Sequence, residues 1–153
     1  MTEYQLYFAF GSNMLEERMR NRCPSALTIK EIGLVANYRL VFNRKGDYEN
    51  GGVASIVSES GVSVYGAIYA ISKDEMESLD KIESPNGDAY FRKEIEVETI
   101  YNQTLSCFTY VAYPQGQNFF PTKKYLNWII EGAENIGLPE SYINSLKGIT
   151  TLE

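Results

Sequence analysis

The stretch YFAFGSNM, residues 7–14, joins an apolar segment to a polar turn. Its aromatic and apolar start predicts a buried strand that ends at Gly11, a residue free to take backbone angles that others avoid and to admit a ligand close to the backbone. Ser12 or Asn13 can cap a following helix, with Glu16 completing a capping box after Asn13. The turn therefore predicts either an ordinary strand–turn–helix corner or a site where backbone N–H groups hold a small anion such as a carboxylate.

Further strands are indicated by β-branched and aromatic segments between turn residues. The predicted strands cover residues 4–10, 33–43, 52–57, 62–71, 91–100 and 104–113. Alternation in the fifth segment directs Phe91, Ile95 and Val97 inward, and YNQT (101–104) predicts a short hairpin. The glycine-rich, charged segment 43–52 predicts a loop between two strands.

Four helices are expected, at residues 13–23, 72–83, 121–137 and 139–149. In the third, helical spacing predicts one buried face formed by Tyr125, Trp128, Ile129, Ala133 and Ile136. Gly137 can end this helix, and Pro139 can open the next one. Because predicted strands mostly follow strands, with helices interspersed, the fold class is α+β. We expect a small mixed β-barrel or a curved sheet flanked by helices.

Composition limits the function classes. The chain has 153 residues, 44% of them hydrophobic, and a net charge of −6. This predicts one domain over residues 1–153 and argues against a nucleic-acid partner, which would require a basic surface. No segment has the length of a membrane span or the pattern of a signal peptide, and Cys23 and Cys107 stand far apart. We therefore expect a cytoplasmic protein with reduced thiols and no membrane partner.

Histidine is absent from the sequence. This excludes Ser-His-Asp triads, Cys-His pairs, histidine general bases and histidine-ligated zinc. Acid–base chemistry must therefore fall to Asp, Glu, Tyr, Lys or Cys, and no metal site is expected.

Glu83 is the carboxylate that the helical pattern places on an apolar face. Ser72 starts the helix with an S-x-x-E capping box, and Met76, Leu79 and Ile82 occupy its apolar positions. Glu83 follows Met76 by seven residues, which returns it to within about 20° of the Met76 direction. Pro85 should end the helix near Glu83, so burial and the helix dipole would both raise the pKa of this carboxyl.

A raised pKa would make Glu83 a competent acid–base group near neutral pH. The alternative is that the last helical turn frays and Glu83 lies in water. Glu77 and Asp80 turn away from the apolar stripe and are expected to be solvated charges.

Taken together, YFAFGSNM and YGAIYAISKDEMESLDKIES (65–84) resemble the γ-glutamylcyclotransferase-like family, which includes the AIG2-like proteins. Its members carry an FAYGSN-type loop and a glutamate that ends an LDxxE stretch, here residues 79–83. The tail EGAENIGLPESYINSLKGI (131–149) is similar to that of the γ-glutamylcyclotransferases themselves.

The resemblance implies a small mixed β-barrel and the release of 5-oxoproline from γ-glutamyl compounds without a cofactor. It makes Glu83 the catalytic acid–base residue and Tyr90 a residue flanking the pocket, or alternatively a core aromatic. The residues implied to hold the γ-glutamyl group are Tyr7, Phe8, Ala9, Phe10, Gly11, Ser12 and Asn13. Phe10 departs from the tyrosine usual in this loop, so any role of that hydroxyl is lost or passes to another of the twelve tyrosines.

Two alternatives remain at the level of sequence. One is a cyclotransferase with another γ-glutamyl donor, such as a γ-glutamylamine, whose leaving group would contact variable loops such as 43–52. The other is a non-catalytic module that binds a small ligand. Relatives suggest a homodimer, which the composition does not decide.

Overall fold

A closed β-barrel forms the centre of the protein, whose computed structural model describes residues 3–46 and 50–153. Five strands are present in this part of the chain: β1 (Tyr4–Ala9), β2 (Leu27–Lys45), β3 (Gly52–Ser72), β4 (Tyr90–Thr99) and β5 (Thr104–Ala112). The strand order is β1-β3-β2-β4-β5, and β1 closes the barrel by pairing with β5 in parallel, whereas the other pairs are antiparallel. The predicted α+β class and mixed barrel are confirmed.

Four helices and one 3₁₀ turn flank the barrel in the described ranges. They are the turn Ser12–Met14, α1 (Glu16–Arg22), α2 (Lys73–Glu83), α3 (Lys123–Ile136) and α4 (Glu140–Lys147). Gly137 ends α3 in the left-handed conformation and Pro139 precedes α4, as predicted. None of the described helices combines the length and the apolar character needed to cross a lipid bilayer.

The two strands predicted at 52–57 and 62–71 are one long strand, β3. Its pairing with β2 changes register between Ala36 and Tyr38, where Asn37 has a φ of 65° and its side chain accepts a hydrogen bond from the Gly61 N–H. Such irregularities bend a strand without ending it, so the polar residues between the two segments do not form a separate loop. Of the loop predicted at 43–52, residues 47–49 lie outside the described residues.

The core fills the barrel and the space beneath α2 and α3. Tyr125, Ile129 and Ala133 form the buried face predicted for α3, with Trp128 and Ile136 at its half-buried edge. The inward position predicted for Phe91 is wrong, because this side chain is 36% exposed. It lies near the end of the β4–β5 ribbon and packs on the exposed ring of Tyr113, with a centroid distance of 4.9 Å.

Two buried thiols and a buried phenol predict a loss of stability in alkaline solution. Burial raises the pKa of Cys23 and of Cys107 from 9.0 to about 11, and that of Tyr69 from 10.0 to about 12. Between these values the unfolded chain ionises while the folded chain keeps its protons. The free energy of unfolding should therefore hold up to about pH 9 and fall between about pH 9 and 12, by about 1.4 kcal/mol per pH unit for each group.

Urea unfolding at pH 8, 9, 10 and 11 measures this dependence. Cys107→Ala removes one titrating group. The free energy of unfolding should then fall less steeply with pH, by about 1.4 kcal/mol per pH unit. A free energy of unfolding that is constant up to pH 11 would contradict the prediction.

Candidate active site

The loop that follows β1 forms one wall of a polar chamber. Gly11 has a φ of −110° and a ψ of −142°, which lie outside the helical and extended regions but are not left-handed. The predicted side-chain caps are wrong, because α1 starts after Leu15 without one. Ser12 instead accepts a hydrogen bond from Arg18 Nε at 3.1 Å, and the Asn13 amide contacts two groups of the chamber. The loop therefore uses its polar side chains to build a site rather than to start a helix.

Glu83 enters the chamber from the end of α2. The Ser72–Glu75 cap starts this helix as predicted, with the Ser72 side chain accepting from the Glu75 N–H at 3.2 Å. Glu83 is its last residue, and its side chain is only 16% exposed, so the frayed alternative is wrong. Met76 and Leu79 are fully buried, but Ile82 is 42% exposed and lies at the mouth of the cleft.

Two donors hold the same oxygen of the Glu83 carboxylate. Asn13 Nδ2 donates to Oε1 at 3.1 Å and Arg22 Nη1 donates to it at 2.9 Å. Asn13 Nδ2 also donates to the Tyr7 hydroxyl at 3.0 Å, which links the loop, α1, α2 and β1 through one network. Arg22 and Glu83 form a partly buried salt bridge, and the raised pKa that the sequence predicts for Glu83 stays a prediction.

Two buried tyrosines form the back of the chamber. The rings of Tyr7 and Tyr110 meet edge to face at 5.7 Å, and the Tyr110 hydroxyl donates to Asp80 Oδ1 at 2.6 Å. Burial raises the pKa of both phenols well above the ordinary value, so both are neutral hydrogen-bonding groups at physiological pH. Asp80 also binds Arg92 at 2.9 Å, so its predicted role as a solvated charge is wrong. Glu77 is exposed as expected.

The hydroxyl groups of Tyr90 and Tyr125 form hydrogen bonds with the backbone carbonyl and the backbone N–H of Ala54, respectively. Tyr90 donates its hydroxyl hydrogen to the Ala54 carbonyl at 2.9 Å, and the Ala54 N–H donates to the Tyr125 hydroxyl at 3.0 Å. Tyr90 thus lies at the pocket, as the resemblance implied. Tyr125 reaches the chamber although its sequence pattern indicated only a core position, and no local signal could have separated the two.

The chamber brings together most of the residues that the sequence singled out. It is lined by Tyr7, Phe10, Gly11, Ser12, Asn13, Ala54, Glu83, Tyr90, Tyr110 and Tyr125. Phe8 and Ala9 line neither this chamber nor its mouth, because both are fully buried in the core. Phe10 presents a ring without a hydroxyl, but four tyrosines supply hydroxyl groups around the same space.

A wider mouth opens outward from the chamber. The two spaces share Ser12, Glu83, Tyr90 and Tyr125, so together they form one cleft with Glu83 at the junction. The mouth is lined further by Arg18, Arg22, Arg44, Lys45, Gly46, Val53, Ile82, Pro85 and Ala89. A ligand larger than the chamber would extend past Glu83 into a region lined by several cationic residues.

Comparison with known proteins agrees with this architecture. A model of the AIG2-like family matches residues 63–146. The γ-glutamylcyclotransferases of mouse and human are each 32% identical over 148 residues, covering 94% of this chain and 78% of theirs. A solved γ-glutamyl cyclotransferase structure superposes with a TM-score of 0.94 at 30% identity, covering 99% of this chain and 90% of that one. The chain belongs to the AIG2-like family and, within it, is a relative of the γ-glutamylcyclotransferases.

Solved structures of lower identity share the fold alone. YkqA from Bacillus subtilis superposes with a TM-score of 0.82 at 21% identity over 97% of this chain and 56% of its own. A yeast γ-glutamyl cyclotransferase described as specific to glutathione gives a TM-score of 0.61 at 10% identity, covering 94% of this chain and 93% of its own. The barrel is therefore retained where most side chains differ.

Arg22 is a further site residue that the sequence analysis missed, besides Tyr110 and Tyr125, and it should be a positioning residue for Glu83. Its side chain is 22% exposed, and the charged pair is separated from most solvent. We expect Arg22→Gln to lower kcat/KM by about tenfold to a hundredfold, because small misplacements of a reacting group have effects of that size. Loss of a hydrogen bond to a charged group should also lower the free energy of unfolding by about 1–3 kcal/mol.

Arg20→Gln is the matched control for Arg22→Gln. Arg20 lies on the same helix and pairs at the surface with Glu16, so its loss should change neither quantity noticeably. Steady-state kinetics and urea unfolding of both variants provide the test. Equal activities of the two variants would show that Arg22 does not position Glu83.

Proposed function

We propose that this chain is a γ-glutamylcyclotransferase, which releases 5-oxoproline and a free amino acid or amine from γ-glutamyl compounds. The observation that carries the proposal is the Glu83 carboxylate at the junction of the cleft, held at one oxygen by Asn13 and Arg22. The relatives described above carry the name of this activity. Glu83 is the one carboxylate among the described residues that line the chamber, and a carboxylate can supply the acid–base help that the reaction requires.

In the proposed reaction, the α-amine of the γ-glutamyl group attacks its own γ-carbonyl carbon. A carbon–nitrogen bond forms to close the five-membered lactam, and the bond to the leaving nitrogen breaks. The α-ammonium nitrogen loses two protons on becoming the lactam N–H, one before and one after its attack. Glu83 takes each in turn and delivers it to the leaving nitrogen, which ends as an ammonium group, so no proton is gained or lost overall. General acid–base help of this kind typically accelerates a reaction by about 10²–10⁴-fold.

Orientation is the second contribution of the site. Both reacting groups belong to one molecule, so holding it in the ring-closing conformation can supply about 7–11 kcal/mol relative to a bimolecular reaction. The first N–H groups of the 3₁₀ turn at Ser12–Met14 have no partner within that turn and can bind the substrate α-carboxylate. Asn13 Oδ1 is buried and accepts no hydrogen bond from the described residues, which supports a role as acceptor for the α-ammonium group.

The chamber residues therefore divide by role in this proposal. Glu83 is the catalytic residue, and Asn13 with the neighbouring loop binds the γ-glutamyl group. Tyr7, Phe10 and Tyr90 enclose that group. Phe10 contributes its ring, and the two tyrosines contribute rings and hydroxyl groups. Phe8 and Ala9 support the loop from the core rather than contacting the ligand.

The proposed activity is tested with purified protein and a panel of γ-glutamyl dipeptides and γ-glutamylamines. We expect 5-oxoproline, followed by mass spectrometry, together with an equal amount of the free amino acid or amine. Thermal stabilisation by these compounds without any product would instead support a binding module. A location in the cytoplasm and independence from nucleic acid stay predictions of the sequence, whereas a homodimer is suggested only by the resemblance to relatives.

A further inference from the structure

Asp80 lies on α2, three residues before Glu83, and binds the barrel through both of its carboxylate oxygens. Its Oδ1 accepts the hydroxyl hydrogen of Tyr110, on β5, at 2.6 Å. Its Oδ2 accepts from Nη2 of Arg92, on β4, at 2.9 Å. Arg92 and Tyr110 are directly paired residues of these two antiparallel strands. One carboxylate of α2 therefore binds a cross-strand pair of the barrel.

The contact with Tyr110 is the better protected of the two. Tyr110 is 5% exposed and lines the chamber. Burial and the hydrogen bond to Asp80 raise the pKa of this phenol, so its hydroxyl keeps the hydrogen that it donates. A short hydrogen bond from a hydroxyl to a carboxylate is stronger than one between neutral groups. The Arg92 side chain is 32% exposed, so solvent screens its attraction to Asp80.

The last turn of α2 carries both Asp80 and Glu83. Residues three apart on a helix are neighbours on its surface, so a shift of this turn moves both carboxylates together. Asn13 and Arg22 bind the carboxylate of Glu83 at the tip of its side chain, whereas Asp80 holds the helical turn from which that side chain extends. The loop at residues 11–14 follows β1 and does not belong to this turn.

We propose that Asp80 is a positioning residue, which places Glu83 by anchoring the last turn of α2 to Tyr110 and Arg92. The inference rests on the proposed function, in which Glu83 exchanges protons with the substrate. Asp80 is not among the described residues that line the chamber or its mouth, so it acts through α2 rather than on the substrate. Its loss should therefore slow the chemical step more than it weakens substrate binding.

Asp80→Ala should lower kcat by about tenfold to a hundredfold, the size of effect that follows a small misplacement of a reacting group. KM should stay within about twofold of the wild-type value, because the loop that binds the γ-glutamyl group keeps its place. Asp80→Asn keeps an oxygen for the Tyr110 hydroxyl and loses mainly a partly exposed ion pair, so kcat should return to within about threefold of wild type. Asp74→Ala is the matched control, since it removes the same residue type from an exposed position of α2 and should change neither constant.

A double-mutant cycle with Tyr110→Phe tests whether the effect passes through the tyrosine hydroxyl. Tyr110→Phe keeps the buried ring and removes the hydrogen bond to Asp80, so it should lower kcat by about tenfold with little change in KM. The double variant should be no slower than Asp80→Ala alone, because one contact can be removed only once. Tyr110→Phe also carries the prediction if Asp80→Ala does not fold.

Steady-state kinetics with one γ-glutamyl dipeptide decide the outcome, at a temperature where circular dichroism shows each variant to be folded. An unchanged kcat in Asp80→Ala and Tyr110→Phe would overturn the positioning role and leave the proposed function intact. Losses of kcat that multiply in the double variant, or an Asp80→Asn variant as slow as Asp80→Ala, would overturn the route through Tyr110. Absence of 5-oxoproline with the wild type would overturn the proposed function, and this inference with it.

Discussion

Glu83→Gln is expected to lower kcat by about 10²–10⁴-fold, the range for loss of a positioned acid–base group. Glutamine has the size of glutamate, and its amide oxygen can still accept from Asn13 and Arg22, which both contact one oxygen in the native site. It cannot take the proton of the substrate ammonium group. The variant should therefore bind a γ-glutamyl donor and release almost no 5-oxoproline.

Two measurements separate this chemical effect from a structural one. A thermal shift caused by the donor should persist in Glu83→Gln, because the chamber keeps its shape. Glu77→Gln is the matched control, since Glu77 lies on the same helix with an exposed side chain, and its activity should equal that of the wild type. If Glu83→Gln retained more than a tenth of wild-type activity, Glu83 would not be the acid–base residue.

Gly132→Ala is expected to destabilise the protein and impair the site, although alanine favours helices over glycine by about 1 kcal/mol. A Cβ atom at Gly132 in α3 would stand 2.7 Å from both Leu15 N and Met14 C. These are backbone atoms that cannot rotate aside, so α3 and the active-site loop must separate. Overpacking of this kind costs about 1–3 kcal/mol, and the displaced Asn13 should raise KM by about tenfold or more.

Asn135→Ala is the control for Gly132→Ala, because it places alanine at an exposed position of the same helix. It should leave KM unchanged and alter stability by less than about 0.7 kcal/mol. Urea unfolding and steady-state kinetics compare the three proteins. A Gly132→Ala variant with wild-type stability and KM would show that the loop adapts to α3 rather than being held by it.

The parts of the fold that could be predicted are those determined by neighbours in sequence. Alternation and β-branched residues locate the strands, and the pattern of Met76, Leu79 and Glu83 places the carboxylate on the buried side of α2. The closed barrel itself is a tertiary feature, since the sequence allowed a curved sheet equally well. Closure depends on β1 pairing with β5, which are separated by most of the chain.

Predictions made from the sequence were wrong where a tertiary contact overrode a local pattern. Phe91 alternates like a core residue but is exposed near the end of the β4–β5 ribbon, where it packs on the ring of Tyr113. Asp80 has the position of a surface charge but receives the Tyr110 hydroxyl from β5. Ser12 and Asn13 have the composition of a helix cap, yet Arg18, Tyr7 and Glu83 bind these side chains instead.

By itself, the sequence determined which residue types were available for catalysis and for binding a substrate. Without histidine, a carboxylate at the end of a short amphipathic helix was the best acid–base candidate, and a glycine-containing turn was the best candidate for binding the substrate. Only the tertiary structure decided what surrounds them, because Arg22 and Asn13 lie 61 and 70 residues from Glu83. Helical and strand periodicities describe which face of an element is buried, whereas the partner of a buried charge depends on how separate elements pack.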